Sequence, residues 1–201
     1  MRYKYPRTYH LPWSAGCTSD DKRMPDTDHL DGHSVVVTEK MDGENTTLYP
    51  DGYVHARSID SSYHPSRTWV TGWWAQIAYK VPSTLRICGE NLYAKHSIAY
   101  DDLASYFLAF GVWEGDVCLS WADTVKVLTE HGIPTVPVLY EGPYDENKIY
   151  LLRGREGYVV RRSDAFSASN FPQYVGKYVR LNHVQTSEHW TNRPVVPNKL
   201  R

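Results

Sequence analysis

The segment SVVVTEKMDGEN, residues 34–45, decides how the rest of the chain is interpreted. Its β-branched run over 34–38 predicts a strand, and the chain then turns at Gly43. That strand delivers Lys40, although a lysine at the end of an apolar strand needs charged partners or a lowered pKa. A neutral amine held there is a nucleophile, whereas the KxDG pattern by itself also suits a surface hairpin turn.

The segments that follow combine short strands with a few helices. The strands are predicted at 46–49 and 53–56, around the turn Pro50-Asp51-Gly52, and at 85–90, 106–113, 157–160 and 174–181. The helices are predicted at 66–79, at 101–105, and from the capping residue Ser120 to His131, with Gly132 as the C-cap. This order favours an α+β fold, with antiparallel sheets and flanking helices, over a doubly wound parallel sheet.

The chain has 201 residues, of which 41% are hydrophobic and 22% charged. That composition suits one globular domain with a full hydrophobic core. Residues 1–33 are rich in Pro, Asp, Gly and His and show little periodicity. We therefore expect an irregular N-terminal arm at 1–33, packed on a main domain of residues 34–201, in a single structural domain.

Charge and cysteine usage exclude some classes of protein. The net charge of −1 provides no general basic field, which argues against a protein that coats nucleic acid but not against an enzyme with a local groove. Cys17, Cys88 and Cys118 have no CxxC spacing and the histidines have no HExxH pattern, so no zinc site is predicted. An odd number of cysteines, without a signal peptide or a membrane-spanning apolar run, indicates a cytoplasmic protein without a membrane partner.

Five later segments follow the KMDG segment in a recognisable order. They are Arg57-Ser58, GENLY at 89–93, FLAFGVW at 107–113, EGYVV at 156–160 and GKYVR at 176–180. In this order the chain resembles the covalent nucleotidyltransferase superfamily of ATP-dependent polynucleotide ligases and mRNA capping enzymes, and within it the RNA ligase family. The resemblance implies a ligase-type nucleotidyltransferase (adenylation) domain. The 21 residues after Arg180 are too few for the OB-fold that DNA ligases and capping enzymes add.

The resemblance also implies residue roles. Lys40 would attack the α-phosphorus of ATP, expel pyrophosphate and hold AMP as a phosphoramidate. Lys177 is similar to the family's phosphate-binding lysine, and its charge would lower the pKa of Lys40, although by itself it also suits a solvated edge strand. Lys40 and Lys177 are thus the implied catalytic residues. Glu90 is similar to a glutamate that contacts the ribose and helps to hold metal, and Glu156 to a metal ligand, which implies Mg²⁺ or Mn²⁺.

Further implied contacts with ATP or AMP surround this group. Phe110 matches the ring that stacks on adenine, although FLAFGVW also suits a buried strand. Arg57 matches a residue that reaches the phosphates or the strand end. The implied contacts beside the nucleophile are the backbone of Glu39 and the motif residues Asp42, Gly43 and Asn45.

The last motif departs from the family pattern, which is often KxK. Arg180 would replace the second lysine from a shifted position, but strand alternation would place it on the face opposite Lys177. Gly111 stands where many relatives carry an acidic residue after the stacking phenylalanine.

The function implied by the resemblance is an ATP-dependent RNA ligase that joins 3′-hydroxyl and 5′-phosphate RNA ends, in a nicked duplex or as single strands. Two alternatives remain open, a minimal ATP-dependent DNA ligase and a non-catalytic module that binds RNA ends or nucleotide. A partner protein could replace the missing C-terminal domain. The N-terminal arm and the tail at 183–190 either contact the nucleotide or nucleic acid or simply pack around the sheet.

Overall fold

The computed structural model describes residues 1–61, 63–181 and 194–201, so the tail at 183–190 lies outside the described residues. The eleven strands of this part are β1 Tyr9–His10, β2 Ser34–Lys40, β3 Glu44–Leu48, β4 Val54–Ala56, β5 Leu85–Asn91, β6 Phe107–Glu114, β7 Val117–Cys118, β8 Val138–Pro143, β9 Gly157–Arg162, β10 Phe166–Ser167 and β11 Val175–Val179. The α-helices are α1 Thr68–Ala75, α2 Trp121–Glu130, α3 Glu146–Tyr150 and α4 Phe171–Tyr174, and 3-10 helices lie at Pro65–Arg67 and Ala78–Lys80.

The strands form two sheets. The Lys40 sheet has the order β1-β11-β9-β2-β8, and the Glu90 sheet has the order β10-β7-β6-β5-β3-β4. Every pair in these sheets is antiparallel except β1 with β11, which is parallel. The α+β class with antiparallel sheets and flanking helices is therefore confirmed.

The KMDG segment is the crossing point between the two sheets. Lys40 ends β2 in the Lys40 sheet, and Glu44 begins β3 in the Glu90 sheet. A Cβ atom on Gly43 would lie 2.6 Å from the carbonyl oxygen of Asn91 in β5. The glycine is therefore required by the close approach of the crossing to β5, and not by a left-handed backbone.

Each sheet buries its outer face against different elements. Helices α1 and α2 cover the Glu90 sheet, where Trp74 and Leu128 pack with Ile87 and Phe107. The N-terminal arm covers the Lys40 sheet, and its apolar residues pack against the alternate positions of β2 and β9. The shared cluster comprises Leu11, Met24, Leu30, Val35, Val37, Ile149, Tyr158 and Val160. The arm is thus a structural layer of the domain. Because side chains alternate along a strand, the uncovered faces of the Lys40 sheet and the Glu90 sheet are directed at each other.

Several predicted elements need correction. The helix predicted at 66–79 is divided into the 3-10 turn Pro65–Arg67, helix α1 and the 3-10 turn Ala78–Lys80. The helix predicted at 101–105 is wrong, because this segment is irregular and Leu103 forms a bridge with Leu200. Strand β8 and helix α3 were not predicted, and the strand predicted at 174–181 is limited to β11. The cap at Ser120 is confirmed, since its side chain accepts a hydrogen bond from the Asp123 N–H at 3.1 Å.

None of the helices in the described ranges combines the length and the apolar character that crossing a bilayer requires.

Candidate active site

A cavity of about 260 Å³ lies between the facing sides of the two sheets. Most of the residues predicted from the sequence reach it. Those in its lining are Glu39, Lys40, Asn45, Arg57, Glu90, Phe110 and Lys177. These residues, which were predicted from the order of the motifs in the sequence, therefore line a single cavity in the structure.

Strand register explains how Lys40 acquires its partner. Lys40 lies opposite Gly157 in the β2–β9 pair, so Glu156, one residue before β9, comes beside it. Lys40 Nζ donates to Glu156 Oε1 at 2.5 Å. The carboxylate side chain is only 5% exposed and the lysine side chain 24% exposed. This is a largely buried ion pair at the edge of the cavity.

The same register places Lys177 on the same face as Lys40. Lys177 lies opposite Val159, and Val159 lies opposite Thr38, two residues before Lys40. Because alternate strand residues share a face, both lysines point into the cavity. Burial first, and then the charge of Lys40, lower the pKa of Lys177. Its ammonium also lies 3.8 Å from Asp21 Oδ1 in the N-terminal arm.

The expectation that cations lower the pKa of Lys40 is wrong for this structure. Burial alone would lower that pKa, but the charges of Glu156, Glu90 and Asp42 together outweigh burial and raise it. Lys40 is therefore held as an ammonium by the carboxylates around it. Lys177 is close enough to Lys40 for the two charges to interact, but the carboxylates have the larger effect on the pKa of Lys40.

Glu90 faces this group from the other sheet. It lies opposite Asn45 in the β3–β5 pair, and its Oε1 accepts a hydrogen bond from the Gly43 N–H at 3.2 Å. Burial raises the pKa of Glu90 to about 8; the charge of Lys40 lowers it, and the charge of Glu156 adds to the rise. Glu90 and Glu156, which lie close enough for the charge of Glu156 to raise the pKa of Glu90, form an oxygen donor set beside the cavity that is suited to a divalent cation such as Mg²⁺ or Mn²⁺.

Phe110 owes its position to an irregularity in the sheet. In the β5–β6 pair Cys88 lies opposite Gly111 and Gly89 lies opposite Ala109, so Phe110 is the extra residue of a β-bulge. A bulge turns a side chain away from regular alternation, and here it directs the ring to the cavity. Tyr5 of the arm meets this ring edge-on, with centroids 5.3 Å apart.

Asn45 and Arg57 complete the predicted lining. The Asn45 Oδ1 atom is buried and has no hydrogen-bond partner within the described residues. Arg57 follows β4 and is exposed at the opening of the cavity. Both positions leave a polar group directed to whatever occupies the cavity.

Other predicted site residues have different surroundings. The Asp42 carboxylate accepts hydrogen bonds from the backbone N–H groups of Ser97 at 2.8 Å and Ile98 at 2.6 Å, so it holds the loop after β5. Gly43 acts through its close packing on β5. Arg180 is exposed beyond β11 and is not in the lining; its N–H donates to the Glu156 carbonyl at 3.0 Å.

Glu39 lines the cavity, but its polar groups already have partners. Its N–H donates to the Pro137 carbonyl at 2.8 Å, and its Oε1 accepts a hydrogen bond from the Arg155 N–H at 3.1 Å. The backbone N–H of Glu39 is therefore not available to an adenine edge.

The lining also includes residues outside the predicted site. Tyr5 and Asp21 come from the arm, and Arg161 comes from β9. Arg7 also lies in the lining, and it belongs to the arm that was expected either to contact the nucleotide or nucleic acid or to pack around the sheet. The arm residues lie far from the motifs in sequence and carry no local signal. Arg161 had a local signal, because positions 157, 159 and 161 of a strand share a face and position 157 is the glycine of the EG motif.

The chain matches a protein-family model described as RNA ligase over residues 33–179, which is more than half of its length. No curated protein matches the sequence. Solved structures with a similar fold include an archaeal ATP-dependent RNA ligase, with 19% identity, a TM-score of 0.58, and coverage of 88% of this chain and 48% of that one.

Two structures of a Naegleria gruberi RNA ligase are also similar. The form with pyrophosphate has 17% identity and a TM-score of 0.54, and the match covers 77% of this chain and 51% of that one. A mutant with ATP and manganese has 15% identity and a TM-score of 0.51, with 77% and 52% coverage. At these identities the likeness concerns the fold, and this chain spans about half the length of the ligases it matches.

Proposed function

This chain belongs to the RNA ligase family, and on that premise we propose that it uses ATP to join a 3′-hydroxyl and a 5′-phosphate of RNA through AMP carried on Lys40. The observation that supports this best is the position of Lys40. Its amine lies beside the cavity, paired with Glu156 at 2.5 Å, with Glu90 and Lys177 facing the same space.

The first step forms a bond from Lys40 Nζ to the α-phosphorus of ATP and breaks the bond to pyrophosphate, which leaves. The nucleophile must first lose a proton, because the surrounding carboxylates raise the pKa of Lys40. Glu156 Oε1 is the acceptor by distance. In the second step the RNA 5′-phosphate displaces Lys40 from AMP, and in the third the 3′-hydroxyl displaces AMP from the 5′-phosphate.

The nucleotide would occupy the cavity with its base at Phe110. A base stacked on an aromatic ring gains roughly 1–3 kcal/mol. Lys177, Arg57 and Arg7 also line the cavity, and their charges complement a triphosphate. The Asn45 Oδ1 atom, buried without a partner in the described part of the chain, would accept a hydrogen bond from the nucleotide.

Glu90 and Glu156 would hold a divalent cation, Mg²⁺ or Mn²⁺. Such a cation supplies positive charge that offsets the charge developing on the phosphates. The Naegleria gruberi ligase structures with ATP or AMP together with manganese support this choice by analogy. We further propose a cytoplasmic location, and that RNA ends are held with the help of a partner protein or a further domain.

The decisive experiment is intact mass spectrometry after incubation with ATP and Mg²⁺ or Mn²⁺. The wild type should gain the mass of one AMP, and the adduct should be stable in mild alkali but lost in acid and on treatment with acidic hydroxylamine, as expected of a phosphoramidate. Lys40→Ala should gain nothing, whereas Lys148→Ala, at an exposed lysine of α3, should behave as the wild type does. An adduct on Lys40→Ala, or none on any form with either metal, would refute the lysyl-AMP proposal.

The choice of RNA is tested separately with nicked duplexes. Substrates should differ only in whether the strand that ends in the 3′-hydroxyl is RNA or DNA. The RNA-ended nick should be sealed faster, and equal sealing of an all-DNA nick would overturn the RNA assignment while leaving the nucleotidyltransferase intact. Binding of RNA without AMP transfer would instead indicate a non-catalytic module.

A further inference from the structure

A second group of potential ligands lies in the N-terminal arm. His10, Cys17 and Asp21 each offer one ligand atom, and these three atoms lie within 4.8 Å of one another. His10 Nε2 is 3.4 Å from Asp21 Oδ2. Nitrogen and oxygen ligands bound at about 2.0–2.2 Å in a tetrahedral site lie roughly 3.3–3.5 Å apart. The separation already matches one edge of such a site.

His10 is turned towards this point by its neighbours. Its Nδ1 lies 2.7 Å from Ser14 Oγ, which also accepts the Val179 N–H at 2.9 Å. A histidine that binds metal usually has its second ring nitrogen held in this way. His10 is only 2% exposed, and within the described residues its Nε2 makes no well-aligned hydrogen bond, although Asp21 Oδ2 lies 3.4 Å away. A buried polar atom without such a hydrogen bond is uncommon and needs an explanation.

Asp21 and Cys17 are brought together by a short turn. The Thr18 hydroxyl donates to Asp21 Oδ2 at 2.9 Å and its N–H donates to the same atom at 3.2 Å. These bonds fix the carboxylate next to the half-buried Cys17, which is a free thiol. The other oxygen, Oδ1, faces Arg7 at 3.7 Å and Lys177 at 3.8 Å. Asp21 is thus oriented from both sides, with Oδ2 directed at His10.

We propose that His10 Nε2, Cys17 Sγ and an Asp21 carboxylate oxygen bind a divalent transition-metal ion of the zinc class. Binding releases the thiol proton to solvent and forms a metal–sulfur bond, so that one thiolate and one carboxylate balance the charge of the ion. Sulfur and nitrogen ligands select zinc or cobalt over Mg²⁺. A fourth position is open to water. The site borders the Lys40 cavity, since Asp21 lies in its lining and contacts Lys177, but it shares no ligand with Lys40, Glu90 or Glu156. The inference does not depend on the proposed ligase activity.

Cobalt provides a direct test, since it reports both geometry and thiolate ligation. Untagged protein is stripped of metal with a chelator, exchanged into clean buffer and titrated with Co²⁺. We expect one equivalent to produce intense visible bands of tetrahedral cobalt and a near-ultraviolet thiolate-to-cobalt band. Zn²⁺ should abolish both, and excess Mg²⁺ should leave them unchanged.

Variants locate the site. Cys17→Ser should remove the thiolate band, and His10→Gln should weaken cobalt binding by more than the roughly 10–100-fold typical of losing an outer-shell partner. Ser14→Ala should fall within that range. Asp20→Asn and His29→Gln, at exposed neighbours in the same arm, should bind as the wild type does. Circular dichroism confirms that each variant is folded.

Three results would overturn the assignment. The first is a thiolate band that survives in Cys17→Ser, because the ligand would then be another cysteine. The second is a cobalt affinity of the wild type no higher than that of Cys17→Ser and His10→Gln. The third is a cobalt spectrum without a thiolate band. Each is independent of whether the protein forms an AMP adduct.

Discussion

Replacing Gly43 with alanine tests whether the crossing between the sheets depends on close packing. A Cβ atom there would lie 2.6 Å from the Asn91 carbonyl oxygen, 2.8 Å from Leu92 Cδ2 and 3.0 Å from Glu90 Cγ. The first contact is with the backbone of β5 and the second with a fully buried side chain, so neither yields easily. Gly43 does not have a positive φ, so backbone strain would not be the cause of a loss of stability in Gly43→Ala.

The expected magnitude follows from two opposing effects. Overpacking of this kind costs about 1–3 kcal/mol, whereas alanine lowers the entropy of the unfolded chain and returns about 0.4–1 kcal/mol. Gly43→Ala should therefore lower the free energy of unfolding by about 1–2 kcal/mol. Gly72→Ala is the matched control, because Gly72 lies inside α1 and a Cβ atom there meets nothing within 4 Å. It should stabilise the protein by about 0.5–1 kcal/mol.

Thermal unfolding followed by circular dichroism measures the difference. At about 2–4 °C per kcal/mol for a chain of this size, the two variants should differ in Tm by roughly 3–12 °C. Gly43→Ala should also form less AMP adduct, since the clash displaces Glu90 relative to Lys40. If the two variants melt together, the close approach is not rigid and the argument for this glycine fails.

Three further predictions concern the same region. Burial raises the pKa of Glu90 from 4.5 to about 8, so between these pH values the folded protein keeps a proton that the unfolded chain releases. Without metal or nucleotide, the free energy of unfolding should therefore fall as pH rises from about 4.5 to about 8. A Tm–pH slope in Glu90→Gln equal to that of the wild type would contradict the assignment. Arg67 donates to Glu44 at 2.8 and 2.6 Å, with side chains 13% and 10% exposed; Arg67→Ala should cost roughly 3–5 kcal/mol in urea denaturation, and a cost below about 1 kcal/mol would show that the pair is effectively solvated. Phe110→Ala should weaken ATP binding about 5–150-fold by calorimetry in a Lys40→Ala background, in line with roughly 1–3 kcal/mol for base stacking, and an unchanged Kd would exclude this ring as the base platform.

Local sequence signals predicted the elements that pair strongly and regularly. Strand β2, with its run of valines, and the Ser120 cap of α2 both match the structure. Strand β8, Val138–Pro143, was missed because Pro137, Gly142 and Pro143 suggest a connection. An edge strand tolerates such residues, since only one of its sides must supply ladder hydrogen bonds. Among the described strands, β8 pairs with β2 alone.

Sequence analysis predicted the site residues whose motifs lie within strands. It missed site residues of the N-terminal arm, which is distant in sequence from those motifs. Lys40, Glu90 and Lys177 come together through strand register. Tyr5 and Asp21 reach the same cavity because β1 pairs in parallel with β11, across more than 160 residues of sequence. Parallel pairing of a strand as short as the two-residue β1 has no sequence pattern, so this wall of the cavity depends on tertiary packing.

The most informative disagreement concerns the charge of Lys40. The motif places a basic residue near the nucleophile, which suggests a lowered pKa, but a motif does not show how closely the carboxylates approach. Here Glu156 lies at 2.5 Å and Glu90 approaches from the opposite sheet, while Lys177 is drawn to Asp21 at 3.8 Å. The same carboxylates that would hold a divalent cation therefore hold the Lys40 proton. The Lys40 proton and the cation compete for the same negative charge, so release of the proton and binding of the cation should favour each other.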